Sequence, residues 1–365
     1  MTIEFDTIPA SIRKPGVYME FNTKLAVRTL PTNAQSVCLI VPLGAGATVG
    51  PNIPTQVYSA DEAKAKFGDV AEEMVAAAIA ANRYVAISCV GVTVEGQAEP
   101  SIAAALAATA LGGFTILVPA WFSSTAMAAL RTHIETYTDS IEQQSIIGIG
   151  ALTSTLSAAT TLADSLNSGA ICVVVLPGSA STARQVAAAF ASVVAFEEDP
   201  ARPLNTLVLK GIQVPPIASR LGRTEQETCL ANGVTPLEVG PGGTVQIVRA
   251  VTTYTKSAAG ADDVALLDLT TIRTLYYVRQ ACRERIRLRF PRAKLSSRTP
   301  AAVRGELLDV LKKCEDLEIV EEVAANADAL IVERSAQDVS RLNASIPVDV
   351  VNGLHVFAGR IDLLL

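Results

Sequence analysis

Ala170-Ile171-Cys172-Val173-Val174-Val175-Leu176 runs apolar through seven residues with no polar break. After Pro177-Gly178 the pattern changes, and residues 181–195 carry the Ala- and Val-rich spacing of a helix. A β-branched run that does not alternate with polar residues indicates a strand covered on both faces. A helix close behind it indicates a crossover to a parallel neighbour.

The same pairing recurs on both sides of this stretch. Strands are expected at 37–43, 84–92, 114–118, 146–149, 170–176 and 204–209. Helices are expected at 60–81, 101–110, 123–138, 155–167 and 181–195, with Ser59 and Ser123 as N-caps. The fold class that follows is α/β, a doubly wound, mostly parallel sheet. A Pro/Gly-rich passage comes next (Val214-Pro215-Pro216, Asn232-Gly233, Pro236, Gly240-Pro241-Gly242-Gly243), then an expected strand at 244–254. The small, polar stretch 256–261 reads as a domain boundary.

Beyond it, Asp262-Asp263 supplies acids suited to the start of a helix. Leu267, Thr271, Leu275, Val278, Cys282 and Ile286 then recur at helical spacing as one mostly apolar face. Arg279, Arg283 and Arg287 stack on another face, and Pro291 ends the helix. A second helix is expected at 300–314, with strands at 329–334 and in the apolar terminal run, where Asn352-Gly353 reads as a flexible point. The division is therefore an N-terminal extended arm (1–30), an α/β domain (31–255), a smaller α+β domain (256–344) and a C-terminal strand arm (345–365).

Half of the 365 residues are hydrophobic and 18% are charged, which excludes disorder as the ground state. No apolar run reaches the length of a membrane helix, and the opening residues carry acids rather than a basic leader. Synthesis and folding in the cytoplasm are the expectation, with no membrane insertion. The net charge is −6, yet residues 273–298 hold nine Lys/Arg and a single acid, Glu284. That stretch is +8, leaving −14 elsewhere.

The chemical motifs are poor. Gly44-Ala45-Gly46-Ala47-Thr48-Val49-Gly50 follows the first strand but is one residue too long for a dinucleotide loop, and Pro51 and Pro54 block the helix that would hold a pyrophosphate. Only His133 and His355 are available for acid–base work, and no Gly-x-Ser-x-Gly elbow occurs. The six cysteines are at least 32 residues apart, without zinc or redox spacing, and read as reduced structural thiols. No catalytic residue, cofactor or metal is expected. The arginine cluster admits three readings: nucleic-acid binding, a solvated face, or a contact with an acidic protein surface. The acidic balance of the whole chain speaks against nucleic acid. The protein contact is preferred, because a localised field orients docking.

Several stretches closely resemble the tail sheath proteins of Mu-like contractile phages. They are 249–254, Asp268-Leu269-Thr270-Thr271-Ile272-Arg273-Thr274-Leu275-Tyr276-Tyr277-Val278-Arg279, and Arg287-Leu288-Arg289-Phe290-Pro291-Arg292-Ala293-Lys294-Leu295. Asp328-Ala329-Leu330-Ile331-Val332-Glu333-Arg334 and the opening Ile8-Pro9-Ala10-Ser11-Ile12-Arg13-Lys14-Pro15-Gly16-Val17-Tyr18 fit the same family. The resemblance implies a structural, non-enzymatic virion subunit, made and assembled in the host bacterial cytoplasm. It forms stacked six-membered rings around a tail tube and contracts to drive the tube through the host envelope.

It also implies an outer α/β domain and an inner C-terminal domain near the tube. Partners would be other copies of the chain, the tail tube protein, and baseplate and tail-terminator proteins. Both arms would add strands to neighbouring subunits through Val17, Tyr18, Phe21, Leu25 and Val27 at one end, and Leu354, Val356, Phe357, Ile361 and Leu363 at the other. Arg273, Arg279, Arg283, Arg287, Arg289, Arg292 and Lys294 would dock on the tube or on a neighbouring subunit. A pyocin-like injection particle shares these mechanics and is the second reading. A nucleotide-binding α/β enzyme using the 44–50 loop is the reading from another class.

Overall fold

The computed structural model describes Lys14, Gly16, Met19 and residues 30–96 and 99–363. Its centre is an eight-stranded sheet. The strands are β1 (Ser36–Pro42), β2 (Thr55–Val57), β3 (Ala86–Val92), β4 (Ile116–Pro119), β5 (Ile147–Leu152), β6 (Ile171–Val175), β7 (Val234–Val239) and β8 (Val245–Ile247). Their order is β2-β3-β1-β4-β5-β6-β7-β8. The six inner strands run parallel, and the short edge strands β2 and β8 are antiparallel to their neighbours.

The helices of this half are α1 (Ala60–Phe67), α2 (Asp69–Ala81), α3 (Ala103–Thr109), α4 (Ser124–Tyr137), α5 (Leu156–Leu166), α6 (Ala183–Phe196) and α7 (Arg223–Ala231). Both faces of the sheet are covered, as a continuous apolar run requires. In β1, Val37, Leu39 and Val41 pack with Phe67, Met74 and Phe190 of α1, α2 and α6. Cys38 and Ile40 point the other way, toward Leu106, Leu130 and Leu162 of α3, α4 and α5. Ser59 and Ser123 cap α1 and α4 by accepting from the N–H groups of Glu62 and Ala126.

The structure departs from the sequence expectations in several places. The helix expected at 60–81 breaks at Gly68, whose φ of 111° is open to glycine and strained for any other residue. A Cβ there would lie 2.9 Å from the Gly44 Cα. The passage around Pro236 contains α7 and β7. Proline is tolerated because it sits where the β6 pairing ends, opposite Val175. Residues 204–209 form no strand; turns and a single bridge, Val208 to Gln246, lay them beside β8. Only Val245–Ile247 of the expected strand at 244–254 is regular. The residues after it bond irregularly, as where Thr253 N–H donates to the Ile171 carbonyl and Thr252 N–H to that of Leu267.

The second part of the chain is built on α8 (Leu269–Arg289) and α9 (Thr299–Asp316), with β9 (Val320–Glu321), β10 (Ile331–Arg334), β11 (Leu342–Ser345) and β12 (Asp349–Val350). The helix begins later than Asp262-Asp263: Asp268 is the N-cap, and Asp263 instead accepts from the Tyr254 hydroxyl at 2.6 Å. Helix α9 folds back on α8, and Tyr277, Cys282, Leu307, Leu311, Cys314 and Leu330 form a core separate from that of the sheet. β10 pairs antiparallel with β11, and β9 with β12, as two separate two-stranded sheets. All six cysteines are buried and unbridged. No helix among the described residues is long and apolar enough to cross a membrane.

Candidate functional site

Residues 351–363 follow β12 and adopt no regular strand. Along their first part, burial alternates: residues 351, 353 and 355 are half-buried, while 352 and 354 are exposed. From Val356 onward every described residue is exposed. Leu354 and Val356 are each 79% exposed, Phe357 88%, Ile361 99% and Leu363 82%. Large apolar side chains held out in water at this density mark a surface built to be covered. The arm expected from residue 345 starts later than that. Ser345 pairs with Ile331, and Asp349 and Val350 pair with Glu321 and Val320, so the stretch up to 350 belongs to its own subunit. Val17, Tyr18, Phe21, Leu25 and Val27 lie outside the described residues. Just beyond them, Leu30 packs on the α8–α9 core, and the Tyr277 hydroxyl donates to the Pro31 carbonyl at 3.0 Å.

A groove of about 670 Å³ opens beside α8. One wall carries Leu275, Val278, Cys282 and Ile286, four members of the apolar face expected from helical spacing. The opposite wall is an extended stretch whose alternate residues, Ser340, Leu342, Ala344, Ile346 and Val348, face inward. That wall includes β11, which among the described residues is paired on one side only, with β10. A two-stranded sheet is marginal alone and gains from a further strand. None of residues 351–363 lines this groove.

The basic residues divide into three groups. Arg273 is 4% exposed and donates to the Glu197 carbonyl, its pKa pushed down to about 10 by burial against the opposing pull of Glu197 and Asp199. Arg279 donates to the carbonyls of Thr138 and Gln144 at 2.7 Å each, and its guanidinium carbon lies 5.0 Å from the centre of the Tyr276 ring. Arg283 donates to the backbone and side-chain oxygens of Gln143, both at 3.2 Å. These three were expected to dock on a partner. Instead they bind oxygens of the sheet-bearing part of their own chain, at Glu197, Thr138, Gln143 and Gln144.

Arg285, which the docking expectation did not include, is buried on α8 against Asp309 and Glu306 of α9. Burial lowers its pKa, but hydrogen bonds to those carboxylates outweigh that and the net shift is upward. Arg289 joins Glu306 at 3.2 Å. Arg287, Arg292 and Lys294 are exposed. Net charge in a sequence window could not separate these groups, since the compensating oxygens come from distant residues.

The loop at 44–50 turns its donors inward. Gly44 N–H bonds the Phe67 carbonyl at 2.7 Å, and Thr48 N–H bonds that of Lys66 at 3.1 Å. Those donors are spent on the turn before α2 and form no phosphate cradle. His133 packs against the Tyr137 ring, and burial pushes its pKa down to about 4. Among the described residues no His, Cys, Asp and Glu cluster could hold a metal ion.

A doubly wound sheet joined to a two-helix domain with an exposed apolar C-terminal tail fits a contractile-tail sheath subunit. The family description "phage tail sheath protein central domain" matches residues 97–253, and "phage tail sheath C-terminal domain" matches residues 261–363. Together they span more than two thirds of the chain, which belongs to the phage tail sheath family. It is 35% identical over 192 residues to the Mu-like prophage FluMu tail sheath protein of Haemophilus influenzae. That match covers 49% of this chain and 39% of the relative's length.

The fold is also that of solved sheath structures. The crystal structure of the sheath tail protein of Desulfitobacterium hafniense superposes with a TM-score of 0.66 at 13% identity, covering 93% of this chain and 97% of that one. The contracted helical sheath of the anti-feeding prophage gives 0.64 at 12% identity, covering 97% and 99%.

Proposed function

We propose that this protein is the structural subunit of a contractile sheath, and that its copies join by strand exchange. The tail beyond His355 is the donated piece, and the groove between α8 and residues 340–348 receives the tail of another copy. One observation carries the reading: a single chain exposes an apolar tail and an apolar groove that do not meet each other. At about 3.3 Å per residue, residues 356–363 extend roughly 26 Å, enough to run the length of a strand.

Magnitudes favour a lattice over a dimer. Covering Val356, Phe357, Ile361 and Leu363 contributes about 6–12 kcal/mol. Four ladder hydrogen bonds add about 2–6 kcal/mol. Ordering eight backbone residues costs about 8–16 kcal/mol. One junction is therefore marginal, and repetition around rings and along a helix holds the assembly. Contraction is then a shift from a metastable arrangement to a more stable one, with the junctions kept while the domains turn.

In the assembled virion the sheet domain would lie outside and the α8–α9 domain near a tail tube, with Arg287, Arg292 and Lys294 as the cationic contacts. Baseplate and terminator proteins would cap the ends. Deleting residues 356–365 is expected to leave a folded subunit that forms no tubes by negative-stain microscopy. Normal tubes from that deletion would remove the strand-exchange reading.

A further inference from the structure

The tail does not leave its subunit at Asn352-Gly353, where the sequence places a flexible point. Gly353 lies against Pro203 so closely that a Cβ would sit 2.6 Å from the Pro203 Cγ. Glycine serves here for close approach. Two residues on, the His355 side chain is only 14% exposed. The Asn205 side-chain amide lies 2.9 Å from His355 Nδ1, within hydrogen-bond distance. Nε2 lies 3.5 Å from Asp268 Oδ1. Asp268 is itself gripped by Arg249 through two hydrogen bonds of 2.8 and 2.7 Å. Three segments thus meet at one ring: the stretch after α6, the residues after β8, and the N-cap of α8. One residue later, exposure rises to 79% at Val356.

We propose that His355 is a clasp that pins the root of the tail to its own subunit, so that the chain pivots between His355 and Val356. The clasp has a consequence for assembly, and that part rests on the strand-exchange reading. A donated strand that slips by one residue turns its apolar set to the wrong face. A root fixed at His355 measures the tail from a constant origin, so each copy presents Val356, Phe357, Ile361 and Leu363 in one register. The pivot also lets the tail swing while its origin stays fixed, as a junction that survives rearrangement needs.

The test uses the full-length chain below its assembly concentration. All six native cysteines are buried, so a nitroxide can be placed selectively through Leu354→Cys or Ile361→Cys. The label at 354 is expected to tumble at least about threefold more slowly than the label at 361. Adding His355→Ala should free the 354 label and leave the 361 label and the thermal melting curve unchanged. His355→Gln, which keeps an amide contact to Asn205, should restore part of the order.

Equal mobility at 354 and 361 in the otherwise unaltered chain overturns the clasp, as does a 354 label indifferent to His355→Ala. Both results are read on the unassembled subunit, so they stand apart from failure of the sheath reading, which shows as the absence of tubes from the unaltered protein. If tubes form, His355→Ala should give irregular ones. Well-ordered tubes from that variant with a mobile root overturn the register role.

Discussion

Arg279 of α8 donates to the Thr138 carbonyl at 2.7 Å, joining the helix to the loop that follows α4. The second contact, to Gln144, closes a fork on that loop. A charged donor satisfying two carbonyls holds the two parts of the subunit in a set orientation. Arg279→Ala is expected to cost about 2–3 kcal/mol, since hydrogen bonds to charged groups are worth about 1.5–3 kcal/mol and this side chain keeps some solvent contact. Urea unfolding checks it; a midpoint unchanged from the parent would show that the fork contributes nothing.

Arg285 is the more severe position. Its side chain is 3% exposed and bridges Glu306 and Asp309; its loss would leave Arg289 on Glu306 and Lys313 on Asp309 but remove the buried cation that joins the two carboxylates. Arg285→Ala should destabilise by about 3–5 kcal/mol, as breaking a buried pair from one side does. Arg285→Ala with Glu306→Gln and Asp309→Asn should recover part of that loss. Denaturant midpoints of the two variants give the comparison, and equal losses would count against the ion-pair account.

The groove and the tail can be separated by variants. Ala344 is exposed on the wall of the groove, so Ala344→Arg should change stability by less than about 0.5 kcal/mol and block the receiving site. A chain lacking residues 356–365 can still receive a tail but cannot give one. Mixed at high concentration, the two should show weak, concentration-dependent association by sedimentation, as a single marginal junction requires, while each alone stays monomeric. Tubes from Ala344→Arg alone would place the receiving site elsewhere.

His355 has its pKa lowered by burial and by the Arg249 charge, with Asp268 pulling the other way. A depressed folded pKa means the neutral ring is the seated form. Its contribution is complete above the ordinary value of about 6.5 and is lost as pH falls through the lower folded value. The 354 label should therefore loosen on acidification from about pH 8 to about pH 5, and the His355→Gln variant should not respond. Tightening in acid would reverse the assignment of the seated form.

Of the seven cations expected to dock, Arg287, Arg292 and Lys294 are the exposed ones, and Arg287 also lines the groove beside α8. Reversing all three to Glu should leave the melting temperature within a few degrees and abolish co-assembly with tail tubes in a pull-down. Unchanged capture would remove their docking role.

The sheet was legible in the sequence because strands covered on both faces must be continuous apolar runs, and the β-branched run 170–176 differs from Ala-rich helical runs such as 74–81. The apolar face Leu275, Val278, Cys282 and Ile286 was legible for the same reason, as a periodicity that any helix must express. Legibility failed at Pro236, where a local rule about proline conflicted with a position at which the ladder has already ended. It failed again at Gly353, which looked like a hinge and is a contact.

Composition and periodicity thus determined the fold class, the two helices of the second domain and the apolar character of the tail, because these depend on neighbours along the chain. The fate of each arginine, the point where the tail leaves the subunit and the groove beside α8 were settled only by folding. Each rests on partners far away in sequence: Arg279 on Thr138, His355 on Asn205 and Asp268, and α8 on residues 340–348. A one-dimensional pattern records which residues avoid water. It does not record which distant carbonyl or carboxylate will meet them when they do.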